Sequence, residues 1–188
     1  MVRLFVENSI INVEKVSRGT SRKVYEGPEK DERAGKDVVD AESGIDAGTI
    51  EALVRNLKNF GGIFEVDQLD DVKIVSFPVG LIILDREHWL AIYIDDKTVE
   101  IMDSLGVKPE NLPVKLCRFL RGQLVGRRLS ATPQLQSTDS NCCGLYALCF
   151  LFYRVNTNFS LCDFSEIFTS DFHLNCIIIK YFFSTIFQ

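Results

Sequence analysis

One stretch, Gln136-Ser137-Thr138-Asp139-Ser140-Asn141-Cys142-Cys143-Gly144-Leu145-Tyr146, constrains the chain more than any other. A polar run ends in two cysteines and a glycine, then passes at once into the apolar residues 145–153, which read as a buried helix. A cysteine at such a junction lies among backbone N–H groups that lack helical partners, at the positive end of the helix dipole. Both effects favour thiolate over thiol. Cys143 is therefore the expected nucleophile, with Cys142, one place earlier, as the alternative. A base and an orienting group must come from elsewhere in the chain.

The chain holds only two histidines. His88 opens the strand-like run Trp89-Leu90-Ala91-Ile92-Tyr93-Ile94, just after the charged turn Asp85-Arg86-Glu87. His173 stands beside a C-terminal apolar helix, with only Asp171 as polar company. The runs at residues 89–94 and 98–102 flank the turn Asp95-Asp96-Lys97 and pair as a hairpin, so the start of one lies beside the end of the other. Asp103 follows the second run directly, which makes it the expected neighbour of His88. The carboxylate would accept a hydrogen bond from one ring nitrogen while the other faces a thiol. Asp95 and Asp96 fall at the far end of the hairpin and read as solvated turn residues. The order His88, Asp103, Cys143 also differs from the papain layout, in which the cysteine comes first.

At 188 residues the chain suffices for one compact domain. A net charge of -5 argues against a protein built mainly to coat nucleic acid. Residues 14–46 are dense in charge and glycine and bury too little to offset chain entropy. Residues 1–46 thus read as a flexible charged segment, with room for a short hairpin in the first dozen, and residues 47–188 as the folded domain. There a helix with Ile50, Leu53, Val54, Leu57 and Phe60 on one side should stop at Gly61-Gly62. β-rich runs follow at residues 72–77, 81–84, 89–94 and 98–102, then a helix over 109–121 and a further strand within 124–129. Helices over about 145–155, 163–168 and from 172 onward complete the pattern. The expected class is α+β, a mixed or antiparallel sheet flanked by helices, with a central helix carrying the nucleophile.

The N-terminus meets charge at Arg3 and Glu7 before an apolar run builds, so no signal peptide is expected. The six cysteines then read as free thiols in a reducing, intracellular compartment, cytoplasm or nucleus. Residues 176–187 are apolar but too short to cross a membrane, and they include Lys180. No His/Cys cluster has zinc-ligand spacing, so no metal is expected.

His88-Trp89-Leu90-Ala91, then Asp103-Ser104-Leu105-Gly106, then Gln136 followed seven positions later by Cys143-Gly144-Leu145, resembles the adenain family of adenovirus-type cysteine proteases. Phe60-Gly61-Gly62-Ile63-Phe64-Glu65-Val66-Asp67 is similar to the segment preceding the first strands of these enzymes. Related domains occur in Maverick/Polinton-type elements, and the wider group includes the ubiquitin-like-protein-specific proteases. The likeness covers roughly residues 48–153. Adenain usually has Glu where this chain has Asp103, and Asp103-Ser104-Leu105 is nearer the wider group. The gap from Gln136 to Cys143 matches the adenovirus type.

The resemblance implies a cysteine endopeptidase that processes viral or transposon precursor proteins, in the cell or the virion, with His88, Asp103, Gln136 and Cys143 as its catalytic residues. Cys143 would attack a peptide carbonyl, His88 would carry the proton and Asp103 would fix the ring. The Gln136 amide and the Cys143 backbone N–H would hold the oxyanion. An isopeptidase for ubiquitin-like modifiers is the alternative, and a catalytically inactive protease-like binding domain is a third reading. The resemblance implies no small-molecule cofactor. Because adenovirus enzymes are stimulated by DNA and a short viral peptide, Lys115, Arg118, Arg121, Arg127 and Arg128 gain a reading as a contact for either. The plainer reading is a solvated helix face.

Overall fold

The computed structural model describes residues 44–187 apart from 107, 109, 110 and 158. The charged segment and short hairpin expected upstream lie almost wholly outside the described residues. The elements are α1 (Ala47–Val54), β1 (Phe60–Glu65), a 3-10 turn (Val66–Asp71), β2 (Val79–Asp85), β3 (His88–Ile94), β4 (Thr98–Met102), α2 (Val114–Gln123), β5 (Arg128–Ala131), α3 (Cys143–Asn156), α4 (Leu161–Glu166) and α5 (Phe172–Ile186).

The five strands form one mixed sheet in chain order. The pairs β2/β3 and β3/β4 are antiparallel, whereas β1/β2 and β4/β5 are parallel. Alternate residues of the central strands face opposite sides. Ile82, Trp89, Ala91, Tyr93 and Met102 join the core around α3, and Leu81, Ile83, Leu90, Ile92, Ile94 and Ile101 join the core around α2. These strands are largely apolar because helices cover both faces, with Glu100 of β4 the buried exception. In α3, the nine residues from Cys143 to Leu151 are all buried, as expected of a helix that is hydrophobic all round.

The α+β class with a mixed, helix-flanked sheet agrees with the expectation, but several elements differ. Residues 72–77 are not a strand, because the place beside β2 is taken by β1. Gly61 and Gly62 do not stop a helix; they lie inside β1, where the register shifts between Phe60 and Gly62 and Gly62 has φ 135°. The first helix accordingly ends at Val54. Helix α2 starts only after Pro113, which disfavours helical backbone at the residue before it. Helix α4 starts two residues earlier than expected, where Ser160 and Asp163 form a reciprocal cap.

The cysteines also depart from expectation. Cys142 is bridged to Cys176, 34 residues away, with their Cα atoms 6.5 Å apart, so these two are not free thiols. Packing of α5 against α3 brings the pair together, and nothing in cysteine spacing signals it. Cys143, Cys149 and Cys162 keep their thiols. Next to the bridge, fully buried Asn175 donates to the carbonyls of Leu135 (3.0 Å) and Thr169 (2.8 Å), tying α5 to the loop before α3. Among the described residues no helix is long and apolar enough to cross a membrane.

Helix α3 is braced against the hairpin turn by Arg154. Its guanidinium reaches Glu100 at 2.7 Å and Asp95 at 3.0 Å, and lies 4.2 Å from the centre of the Tyr93 ring. Glu100 is only 4% exposed, so removing its cation leaves a buried charge unpaired. Arg154→Ala is expected to destabilise the fold by about 3–5 kcal/mol, read from the midpoint of urea unfolding.

Candidate active site

His88 is the first residue of β3, and Asp103 follows the last residue of β4, at the same end of the hairpin. His88 Nε2 donates to Asp103 Oδ1 at 2.8 Å, with the side chains 21% and 3% exposed. Asp103 is itself held on three sides. Its Oδ1 accepts from the Leu105 N–H at 3.0 Å, its own N–H donates to Thr132 Oγ1 at 3.0 Å, and its carbonyl accepts from that hydroxyl at 2.6 Å. The ring orientation is thus set by a carboxylate that is locked in place.

Cys143 is the first residue of α3 and is 8% exposed. The His88 ring stands close enough to act on its thiol as a hydrogen-bond partner and as a charge. The backbone N–H of Trp89 also points to its Sγ at 3.5 Å. Burial is the largest influence on Cys143 and favours the neutral thiol. It is outweighed by the His88 hydrogen bond, the Trp89 N–H, the His88 charge and the Gly144 N–H, which together lower the pKa. For His88, burial again acts first and disfavours the cation. The bonds and charges of Asp103 and Cys143 overcome it and raise the pKa from 6.5 to about 9. Cys149, on the same helix, feels burial alone and is pushed up instead. The contrast shows that the contacts from β3, not burial in α3, are what favour thiolate.

The two shifts define a pH window. A thiolate–imidazolium pair persists from the lowered Cys143 value up to about pH 9, where His88 gives up its proton. Alkylation of Cys143 should therefore stay fast below the ordinary thiol range, and any turnover using the pair should fall away near pH 9. Because the folded pKa of His88 is raised, its contribution to stability is complete below 6.5 and is lost as the pH rises through about 9. Rate–pH and unfolding–pH profiles check the two signs separately.

Gln136 is 2% exposed. The Ser104 hydroxyl donates to its Oε1 at 2.9 Å, and its Nε2 donates to the Ser140 carbonyl at 3.1 Å. Backbone N–H groups of Leu135 and Gln136 both donate to the Ser104 carbonyl. The amide oxygen is thus turned toward the residue after Asp103, and the amide nitrogen toward the loop that leads into Cys143. That nitrogen carries two hydrogens, of which the Ser140 carbonyl takes one.

The structure brings His88, Asp103 and Cys143 together, with Gln136 bonded to Ser104 beside Asp103. Cys142 drops out as the alternative nucleophile, because its sulfur is bonded to Cys176. His173 is exposed on the first turn of α5. Sequence reasoning missed Ser104, Thr132 and the Trp89 N–H. Ser104 alone left a trace, as the neighbour of Asp103. The basic residues do not form one open patch. Lys115 pairs with Asp67 at 2.7 Å and Arg118 with Asp70 at 2.8 Å, while Arg127 donates to the Asp95 carbonyl and stacks 4.1 Å from the centre of the Phe77 ring. Among the described residues no group of three or more His, Cys, Asp or Glu is placed to hold a metal ion.

No family model matches the sequence. No curated protein matches it either. Among solved structures, the chain is similar to the SUMO protease Ulp1 with its catalytic cysteine oxidized to a sulfenic acid, at 14% identity and a TM-score of 0.34, covering 74% of this chain and 75% of that one. It is also similar to a de-sumoylating protease, at 13% identity and a TM-score of 0.38, covering 72% of this chain and 69% of that one. At these values the likeness bears on neither activity nor substrate.

Proposed function

We propose that the protein is a cysteine endopeptidase. The observation that carries this reading is the buried array in which Asp103 holds His88 and His88 holds a Cys143 thiol of lowered pKa. In the reaction, Cys143 Sγ attacks the scissile carbonyl. The imidazolium of His88 gives its proton to the leaving amine as the C–N bond breaks, leaving a thioester. Water, deprotonated by His88, then hydrolyses the thioester and restores the thiolate–imidazolium pair. Negative charge on the carbonyl oxygen is met by the Cys143 N–H at the start of α3 and by the Gln136 amide. Gln136→Ala is expected to lower kcat by about 10²–10³ with little change in KM, because the oxyanion exists only in the transition state. Steady-state kinetics on a cleaved peptide check the split.

The substrates we propose are precursor proteins of a viral or transposon kind, a reading supported by the resemblance of the His88, Asp103, Gln136 and Cys143 segments to adenain. A second reading, removal of ubiquitin-like modifiers, is favoured by Asp103-Ser104-Leu105. The two part on one comparison, between unmodified peptides and a ubiquitin-like probe with a reactive C-terminus. Cleavage of internal bonds by the wild type, absent in Cys143→Ala, supports the endopeptidase. Labelling by the probe without internal cleavage transfers the assignment to the second reading. If Cys143 reacts with neither, both fall.

A further inference from the structure

The described chain begins beside the expected nucleophile. Gly44, at φ 74°, lies against Asn141, so that a Cβ built on it would stand 3.6 Å from both the Cβ and the carbonyl oxygen of that residue. Ile45 is 6% exposed, and its side chain fills the space over Gly144, where an added Cβ would come within 2.1 Å of Ile45 Cγ2. The Ile45 carbonyl accepts a buried hydrogen bond from Trp89 Nε1 at 3.1 Å. Asp46 then caps α1 through the Thr49 N–H at 2.9 Å and the Thr49 hydroxyl at 2.6 Å, which anchors the downstream end. Two consecutive residues thus touch both flanks of Cys143 and the indole next to His88.

Trp89 is where this contact acts on the chemistry. Its indole N–H is buried and needs an acceptor, and Ile45 supplies it. Its backbone N–H points at Cys143 Sγ, and a bond of that kind strengthens when the sulfur is charged. We propose that Gly44-Ile45 is a positioning strap, in which Ile45 fixes Trp89 and, through the Trp89 backbone N–H, holds Cys143 Sγ in place beside His88. Ile45 is a positioning residue, since it acts through Trp89. Its effect on turnover rests on the peptidase reading, whereas its effect on the thiol does not.

The test uses the full chain carrying Ile45→Ala, Ile45→Val or Trp89→Phe, with thermal melting to check the fold. The readout is the rate of iodoacetamide alkylation of Cys143 against pH, followed by mass spectrometry of its peptide. Ile45→Ala keeps the carbonyl that Trp89 Nε1 bonds but loses the side chain wedged over Gly144 that holds that carbonyl in place, and Trp89→Phe loses the indole N–H while keeping a ring. Each should slow alkylation at the acidic end by about fivefold and move the profile toward that of an ordinary thiol, as expected for weakening one bond to a charged group. Ile45→Val should stay close to the wild type. The double variant Ile45→Ala/Trp89→Phe should be no slower than the worse single one, because both act along one path. Folded single variants with wild-type profiles overturn the strap, as does a double variant whose two effects multiply in full. If Ile45→Ala does not fold, the Trp89→Phe profile decides alone. An ordinary-thiol profile in the wild type itself would instead sink the peptidase reading.

Discussion

Replacing Cys143 by alanine is expected to lower kcat by about a million-fold, leaving only what substrate binding and the oxyanion donors provide. The size follows from how the parts depend on one another. His88 has no thiolate to pair with once the sulfur is gone, so His88→Ala added to Cys143→Ala should cost almost nothing further. Cys142 supplies the internal control, because its sulfur is bonded to Cys176 and stands in no acid–base contact with His88. Peptide cleavage by a folded Cys143→Ala variant at a rate near that of the wild type would remove the nucleophile assignment altogether.

Asp103→Asn should lower kcat by about ten-thousand-fold while leaving the backbone in place. Asp103 Oδ1 accepts from both His88 Nε2 and the Leu105 N–H. An asparagine in the same rotamer can keep both bonds with its oxygen but brings no charge to steady the imidazolium, and when flipped it turns its amide hydrogens toward the ring and favours the wrong tautomer. The loss of the carboxylate also removes the strongest influence raising His88 toward 9, so the alkaline limb of activity should move to lower pH. Kinetics across pH, with a melting curve as the check on folding, test both effects. A variant that keeps its rate and its alkaline limb would show that Asp103 orients nothing.

Much of this hairpin could be read from residue order alone. Two β-rich runs about Asp95-Asp96-Lys97 determine which ends meet, and the observed β3/β4 register puts Ala91 opposite Met102. With that register, His88 and Asp103 share one end, as the local pattern implies. Elements that rest on distant pairing were harder to see. Strand β1 pairs in parallel with β2 across the 3-10 turn and residues 72–77, and its Gly61-Gly62 carries a stronger local signal for a helix end than for a strand. The Cys142–Cys176 bridge depends on how α5 lies on α3, which no spacing encodes. Ser104 reads as an ordinary turn residue until its hydroxyl is seen on Gln136. Ile45 stands at the edge of a charged segment, and its burial beside Gly144 and Trp89 comes from contacts distant in sequence.

The array draws its parts from two separate lengths of chain, residues 88–103 on the sheet and 136–143 at the start of α3. What lowers Cys143 is supplied largely from the sheet side, by His88 and the Trp89 N–H, while burial within α3 works in the opposite direction. The acidity of Cys143 thus depends on the packing of helix on sheet as well as on its place at the start of α3.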